Sequence, residues 1–435
     1  MVEKLRRRIL GADRDHARDN FLWNMIGSVL YAAATILLVR LTRGAAGTGA
    51  GADFNIAFKT GQILLTVGYF EIRPFQVTDV NNEYSFQDYL SLRVITCAVM
   101  AALGFLYPAV SGEEGERFAL FALLCLYKLM DGAADVFEGE FQKHGRMDLA
   151  GKSVAFRTVF SVAAYGVALY LTRDVVFSVC VMVAAAAAGV LFFDVTMIGC
   201  FARLSLSFNG ARLKKLVRST VFLFIGSILC LYIFNASNYA VDAVYQGADA
   251  ASEDIRYVYA CIFMPTSVIN LASGFVFKPV LTTMAAHYVE GRLSAFGSLV
   301  GKLLLGVTAL TALALAGGAL LGIPVLSLIY GYDLNGYLPE LLVLILGGGF
   351  NAAGIILYYA MTVMRRQKEI LASYVVVALV TLAVSHWSVQ NFGLMGAALS
   401  YCDVMLLQTL VFGAAAFAGW RQSKKRQQAD LPEIH

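Results

Sequence analysis

Charge is what this chain has least of. Only 15% of its 435 residues are Asp, Glu, Lys or Arg, against roughly 25% in an ordinary soluble domain. Hydrophobic residues make up 59%, and mean hydropathy is +0.67. A water-soluble protein of this composition could not cover its own surface, whereas a chain facing lipid has no such need. Proline is scarce, 7 residues against 39 glycines, which suits many helices that touch through small residues. The cysteines (Cys97, Cys125, Cys180, Cys200, Cys230, Cys261 and Cys402) stand singly, mostly in apolar runs, with no Cys-x-x-Cys pair. They support neither a zinc site nor a disulfide framework and read as small apolar packing residues. No segment between apolar runs is long enough for a folded soluble domain; the longest outer ones, near 43–52 and 245–255, are Gly/Ala-rich or acidic. The first twenty residues, MVEKLRRRILGADRDHARDN, are polar and basic. The apolar run after them exceeds a signal-peptide core and lacks a small-residue cleavage site, so it reads as a retained first helix.

What is present is a series of runs near the ~20 apolar residues that cross a hydrocarbon core. Twelve qualify, near 20–41, 53–72, 88–109, 117–138, 153–172, 175–200, 217–240, 256–280, 296–322, 338–363, 370–389 and 393–419. The second is the least apolar, carrying Lys59 and ending in Glu71-Ile72-Arg73-Pro74; the eighth is interrupted by Pro265. Short cytoplasmic loops hold the Lys and Arg. With the N-terminus inside, most of the 34 basic residues fall on cytoplasmic ends, among them Arg6, Arg7, Arg8, Lys143, Arg146, Lys152, Arg212, Lys214, Lys215, Arg218, Arg365, Arg366, Lys368, Arg421, Lys424, Lys425 and Arg426. That count places the basic residues of the third and fifth runs at their cytoplasmic ends too. Outer loops hold only Arg40, Arg43, Arg117, Arg173 and Arg256. The expectation is an all-α integral membrane protein of about twelve transmembrane helices, multi-pass, with both ends in the cytoplasm. A basic loop at 201–218 separates six helices from six, giving lobes at 1–212 and 213–435, an arrangement many carriers share. The net charge of +4 is small, and the basic ends draw the chain toward anionic membrane lipid.

Ionisable residues at membrane depth are costly and usually face protein or a water-filled cavity. On the fourth run Lys128, Asp131, Asp135 and Glu138 recur at helical spacing and continue to Gln142; on the second, Asn55, Lys59, Gln62 and Thr66 form another stripe. The first run carries Asn20, Asn24, Gly27 and Tyr31, with Arg40 near its outer end; the seventh Asn235, Asn238 and Asp242; the eighth Thr266, Asn270 and Ser273, with Lys278 near the cytoplasm. Two readings stand. In one, these residues line a polar, partly cationic cavity between the lobes. Asn24, Arg40, Asn55, Lys59, Gln62, Lys128, Asn235, Asn238 and Asn270 then contact substrate, the cations drawing a phosphate or pyrophosphate and the amides sugar hydroxyls. Asp131, Asp135 or Asp242 would take the coupling ion. In the other, the charges pair within the bundle: Lys128 with Asp131 at i,i+3, Asp135 and Glu138 solvated at the cytoplasmic end, and Arg40 snorkelling to the interface. Lys59 has no acid at i±3 or i±4.

His144, His287 and His386 are scattered and form no metal-ligand set. Gly47-Thr48-Gly49-Ala50-Gly51 lacks the Lys-Ser/Thr of a nucleotide loop, and Gly347-Gly348-Gly349 reads as a close-packing or bending point. No nucleophile–base pair and no nucleic-acid signature is visible, so neither a catalytic centre nor a cofactor is expected.

Three segments carry a resemblance. Phe21-Leu22-Trp23-Asn24-Met25-Ile26-Gly27, Glu71-Ile72-Arg73-Pro74-Phe75-Gln76-Val77-Thr78-Asp79, and Tyr127-Lys128-Leu129-Met130-Asp131 through Glu138-Gly139, Gln142 and Gly145-Arg146 resemble the first helix, the loop after the second and the fourth helix of polysaccharide (O-antigen and capsule) flippases. These belong to the multidrug/oligosaccharidyl-lipid/polysaccharide exporter superfamily. The resemblance implies a carrier in the bacterial inner membrane that moves an undecaprenyl-pyrophosphate-linked oligosaccharide to the outer leaflet by alternating access; a monomer is the expectation for a carrier of two lobes. It would be coupled to a proton or sodium gradient and in contact with polysaccharide assembly machinery. Three other readings compete. A multidrug or small-cation antiporter of the same fold needs an acidic pocket, which Asp131 and Asp242 could supply and the lysines oppose. A membrane polymerase or glycosyltransferase needs a large loop that is missing. A scaffold for polysaccharide assembly has no use for intramembrane charge.

Overall fold

The computed structural model describes residues 17–245, 250–330 and 332–429; Arg6, Arg7 and Arg8 lie outside them, as do the side chains of Lys278 and Arg426. Among the described residues every long element is helical. Helix α1 (Ala17–Tyr69) is two segments joined at Gly47, whose φ of 93° breaks the helix at a conformation that glycine tolerates. A short α2 (Ile72–Val77) follows, then α3 (Phe86–Val110), α4 (Gly115–Lys143), α5 (Met147–Thr172) and α6 (Val175–Gly189). A π-helical turn, Val190–Asp194, carries α6 into a last turn at Val195–Ile198. Then come α7 (Gly210–Val244), α8 (Ala250–Val289) and α9 (Leu293–Gly317), the last running through a π turn at Gly318–Gly322 to Tyr330. The chain ends in α10 (Leu338–Val363) and α11 (Gln367–Ala429), again two segments, joined at Gly393 with φ 58°. Counting each arm of α1 and α11, twelve membrane-length segments are described, in register with the twelve apolar runs. Eight helices have a window long and apolar enough to cross a membrane on composition alone. Helix α4 does not, because its centre carries four charged side chains, and all four are buried.

The chain divides into two compact units, Met1–Phe224 and Ile225–His435, the division falling inside α7. The boundary expected at 212/213 lies near the start of that same helix.

In the first unit α1 and α5 touch backbone to backbone. A Cβ on Gly27 would stand 2.7 Å from the Gly151 carbonyl oxygen, and one on Gly151 would collide with the Trp23 carbonyl. Apolar burial around Leu38, Phe54, Phe58, Leu124, Tyr165 and Met182 fills the rest of that layer, and the Thr42 and Tyr165 hydroxyls meet at 2.6 Å. The link from α1 to α3 is held by short-range polar chemistry. Phe70 and Glu71 take left-handed φ of 46° and 51°, a conformation costing non-glycine residues about 1–2 kcal/mol each; they reverse the chain and lay α2 across α4. Asp79 then accepts the backbone N–H groups of Glu83 and Tyr84, each at 3.0 Å, and the Tyr89 hydroxyl at 2.8 Å. Ser85 caps α3 in a reciprocal capping box with Asp88.

In the second unit the glycine run of α10 serves close packing: a Cβ on Gly347 would lie 2.7 Å from the Tyr401 ring, and one on Gly349 would collide with Thr311. Phe234, Phe263 and Tyr401 meet edge to face beside it.

The α1–α5 contact predicts that Gly151→Val costs about 2–3 kcal/mol by overpacking, read as a lowered Tm of the detergent-purified protein. Gly306→Ala, whose Cβ would meet nothing within 4 Å, leaves Tm unchanged or raised.

Candidate functional site

The charged stripe of α4 is the organising feature of the first unit. Lys128, Asp131, Asp135 and Glu138 recur at three- and four-residue steps and so share one helix face. Four other helices send cations or a carboxylate onto that face. Arg157 of α5 donates from Nε to Asp131 at 3.1 Å and from Nη2 to Glu138 at 3.1 Å. Arg73 of α2 donates from Nη1 to the other Glu138 oxygen at 2.8 Å and to Asp135 at 3.1 Å, and from Nε to Gln142 at 3.2 Å. Arg93 of α3 reaches the second Asp135 oxygen at 2.6 Å and also donates to the Gly68 carbonyl. Asp194, from the π turn after α6, lies 3.8 Å from Arg157. The result is one continuous cluster of four cations and four carboxylates.

Lys128 closes the cluster toward α1. Its ammonium donates to the Tyr31 hydroxyl at 2.9 Å and stands 3.6 Å from Asp131. It sits 4.1 Å from the Phe58 ring centroid and 4.5 Å from that of Tyr31. At 1% exposure it is a paired cation in an aromatic box, stabilised by ring quadrupoles as well as by a carboxylate. The Tyr31 hydroxyl can donate to Asp131, 3.1 Å away, or to Gln62, 3.2 Å away. Gln62 is exposed on the second arm of α1, so this tyrosine links the cluster to the surface of the unit.

Each carboxylate oxygen of Asp131, Asp135 and Glu138 has a hydrogen-bond or ion-pair partner. Asp194 differs. It is 0% exposed, and neither of its oxygens receives a hydrogen bond among the described residues. The Ser153 hydroxyl lies beside it but outside hydrogen-bond geometry, and accepts from Arg157 Nη1 at 3.1 Å. The π turn sets Asp194 there: an extra residue in the turn rotates everything after it relative to a regular helix, and such bulges concentrate at functional positions. That turn lies against α5 at Gly189, where a Cβ would stand 3.4 Å from the Arg157 Cα, in van der Waals contact.

The structure corrects two expectations. Asp135 and Glu138 are not solvated at a helix end; both are buried and held by arginines. Arg93 and Arg157, counted with the cytoplasmic ends, are not solvated there either. They are buried at 1% and 4% exposure and pair with the carboxylates of α4. Of the other residues expected to line a cavity, Asn24 is buried against α5; Asn55 is half-buried; Lys59 and Arg40 are exposed, with no ion pair among the described residues. Asn235, Asn238, Asn270 and Asp242 belong to the second unit. Asn235 turns its amide onto the Leu231 carbonyl at 2.9 Å, and Asn270 accepts from Asn351 at 3.5 Å. Asn238 is half-buried and Asp242 exposed. The network members absent from the sequence-based set are Arg73, Arg93, Arg157 and Asp194. Asp194 had a signal, a lone acid inside one of the most apolar runs; Arg157 had none, standing only about a turn from the start of the fifth apolar run.

No protein-family model and no curated protein matches the sequence. Solved structures do match in shape. A MATE protein in the bent conformation superposes with a TM-score of 0.76 at 13% identity, covering 98% of both chains. The MATE transporter VcmN of Vibrio cholerae, in the bent form, gives 0.72 at 9% identity over 97% of this chain and 98% of that one. A MOP superfamily transporter from Pyrococcus furiosus, described as having a binding pocket of reverse polarity that suggests a different function, gives 0.68 at 12% identity over 94% of this chain and 95% of that one. At these identities the likeness establishes the fold alone, a twelve-helix architecture of the MATE type.

Removing one partner from a buried ion cluster strands the others, at about 3–5 kcal/mol. Arg157→Ala is therefore expected to lose that much stability in denaturant unfolding of the detergent-solubilised protein, and Arg157→Lys to recover only part of it, since one ammonium cannot span Asp131, Glu138 and Asp194 together. Asp194→Asn, which removes a carboxylate with no hydrogen bond, is expected to stay within about 1 kcal/mol of the wild type.

Proposed function

We propose that the chain is a secondary transporter rather than an enzyme, that it exports small organic cations by alternating access, and that proton entry drives it. The observation that carries this reading is Asp194, a wholly buried carboxylate that receives no hydrogen bond among the described residues, attached to a cluster whose other three carboxylates are paired at both oxygens. A guanidinium 3.8 Å away occupies the side from which a sodium ion would be drawn and repels it. A proton meets the same repulsion but needs only one carboxylate oxygen, whereas sodium needs several oxygen ligands at once. Protonation leaves four cations against three carboxylates in a low-dielectric interior. The protonated unit therefore holds a cationic substrate less tightly, and reciprocal linkage gives the sign that antiport requires. The lysine that would have opposed a cationic substrate, Lys128, is neutralised by Asp131 and enclosed by aromatic rings. The MATE-type fold supports the same reading. A bacterial plasma membrane is the proposed location, and a monomer the proposed working unit.

A second reading has its own support. Lys59 and Arg40 are exposed and, among the described residues, without an ion pair; Asn55 and Gln62 share the Lys59 stripe. Cations beside amides suit a pyrophosphate-linked oligosaccharide, as do the three segments that resemble polysaccharide flippases. Its partners would then be the lipid-linked oligosaccharide and the polysaccharide assembly machinery.

One preparation tests both. Proteoliposomes holding the full chain under an imposed proton gradient are expected to drive ethidium counter to the proton flow. Asp194→Asn should lower that gradient-driven accumulation by about tenfold or more, and Lys59→Ala should leave it unchanged. If ethidium is not moved, and a pyrophosphate-linked oligosaccharide instead becomes accessible to an impermeant sugar-modifying reagent in a Lys59-dependent way, the flippase reading replaces the antiporter.

A further inference from the structure

The second unit carries a groove of about 750 Å³ between α9, α10 and α11, within the roughly 300–1,000 Å³ range of small-molecule sites. Its two ends differ in chemistry. At one end Leu304, Leu357 and Leu410 form an apolar trough; at the other stand the Lys424 ammonium and the Ser298 hydroxyl, and no Asp or Glu lines any part of it. From Leu410 to Lys424 the groove follows α11 for about 20 Å at 1.5 Å per residue. That is close to one leaflet's ~15 Å share of the hydrocarbon core plus a headgroup layer.

The polar end is fixed in place. Trp420 donates to the Leu293 carbonyl at 3.0 Å, the Tyr288 and Ser423 hydroxyls meet at 2.9 Å, and Gln427 donates to the Gly291 carbonyl at 2.7 Å. These bonds pin the end of α11 to the α8–α9 turn. Lys424 lies 4.5 Å from the Trp420 ring, which holds the ammonium at the groove's end. The nearby acids are engaged elsewhere, Glu290 with Arg292 and Glu369 with Arg366. Small residues keep the trough open: a Cβ on Gly301 would meet nothing within 4 Å, and one on Gly413 only Leu357, at 3.7 Å.

We infer that this groove is a site for one anionic phospholipid, its acyl chain along α9 and α11 and its phosphate at Lys424. Apolar length, a cation with no competing carboxylate and a hydroxyl donor together match a phosphodiester headgroup on a hydrocarbon tail. The inference is independent of what the protein carries.

Trp420 supplies the reporter. Trp23 and Trp387 are the other two tryptophans, so Trp23→Phe with Trp387→Phe leaves it alone. The full chain in phosphatidylcholine nanodiscs would be titrated with chain-brominated phosphatidylglycerol or chain-brominated phosphatidylcholine, and Trp420 quenching followed. Phosphatidylglycerol is expected to quench at about five- to tenfold lower mole fraction. Lys424→Gln should abolish that preference. Lys425→Gln, the same charge change next door but outside the groove, should keep it. Gly301→Phe, which fills the trough, should cut quenching by both lipids. Equal quenching by the two lipids in the wild type would overturn the site. So would equal loss in Lys424→Gln and Lys425→Gln, which indicates diffuse attraction to a basic tail, or unaltered quenching in Gly301→Phe.

Discussion

Three carboxylates on one face of a helix buried in apolar surroundings cannot stay ionised without partners, and the first unit is arranged around that constraint. Each ion withdrawn from water carries a penalty of several kcal/mol even after relaxation. Helix α4 carries Lys128, Asp131, Asp135 and Glu138 together, so it is viable only where other helices bring charge to it. Arg157 is the central member, spanning Asp131 and Glu138 while facing Asp194. A planar guanidinium with five donors can do this where an ammonium cannot. Arg73 and Arg93 complete the neutralisation from α2 and α3. The positions of α2, α3, α5 and the π turn after α6 are thus tied to one electrostatic requirement as well as to apolar packing.

The same requirement separates the carboxylates held by several donors from the one held by a single ion pair. Asp131, Asp135 and Glu138 are each held by two or more donors, which fixes their geometry. Asp194 is held by a single ion pair at the long end of the range, and its helix adopts a π turn to bring it there. The aromatic enclosure of Lys128 has the complementary effect: a cation that looks available from its position in the chain is already committed.

The second unit solves its packing differently. Its described ion pairs, Arg292 with Glu290 and Arg366 with Glu369, sit at helix ends. Its interior is joined by close backbone approach at Gly347 and Gly349 and by aromatic edges around Tyr401. No buried charge cluster binds its helices among the described residues, and small residues set the spacing at these contacts. Where glycines line an outer face, at Gly301 and Gly413, the same economy of side chain leaves a groove.

Much of this was legible without coordinates. The apolar run lengths located all twelve helical segments, because hydrocarbon thickness sets how long such a run must be. The step of three and four along α4 put its charges on one face, because helix geometry alone decides that. The pairing of Lys128 with Asp131 was likewise available as a local i,i+3 contact. The identity of the other partners was not. Arg73, Arg93, Arg157 and Asp194 are far from α4 in sequence, and two of them mimicked interfacial arginines, since position within an apolar run does not say which way a side chain points. The π turn that aims Asp194 has no marker in residue type. Local periodicity and hydrophobic length belong to the chain; which cation meets which carboxylate is decided only when the helices pack, because the cost of a buried charge is met or avoided by neighbours that sequence order does not name.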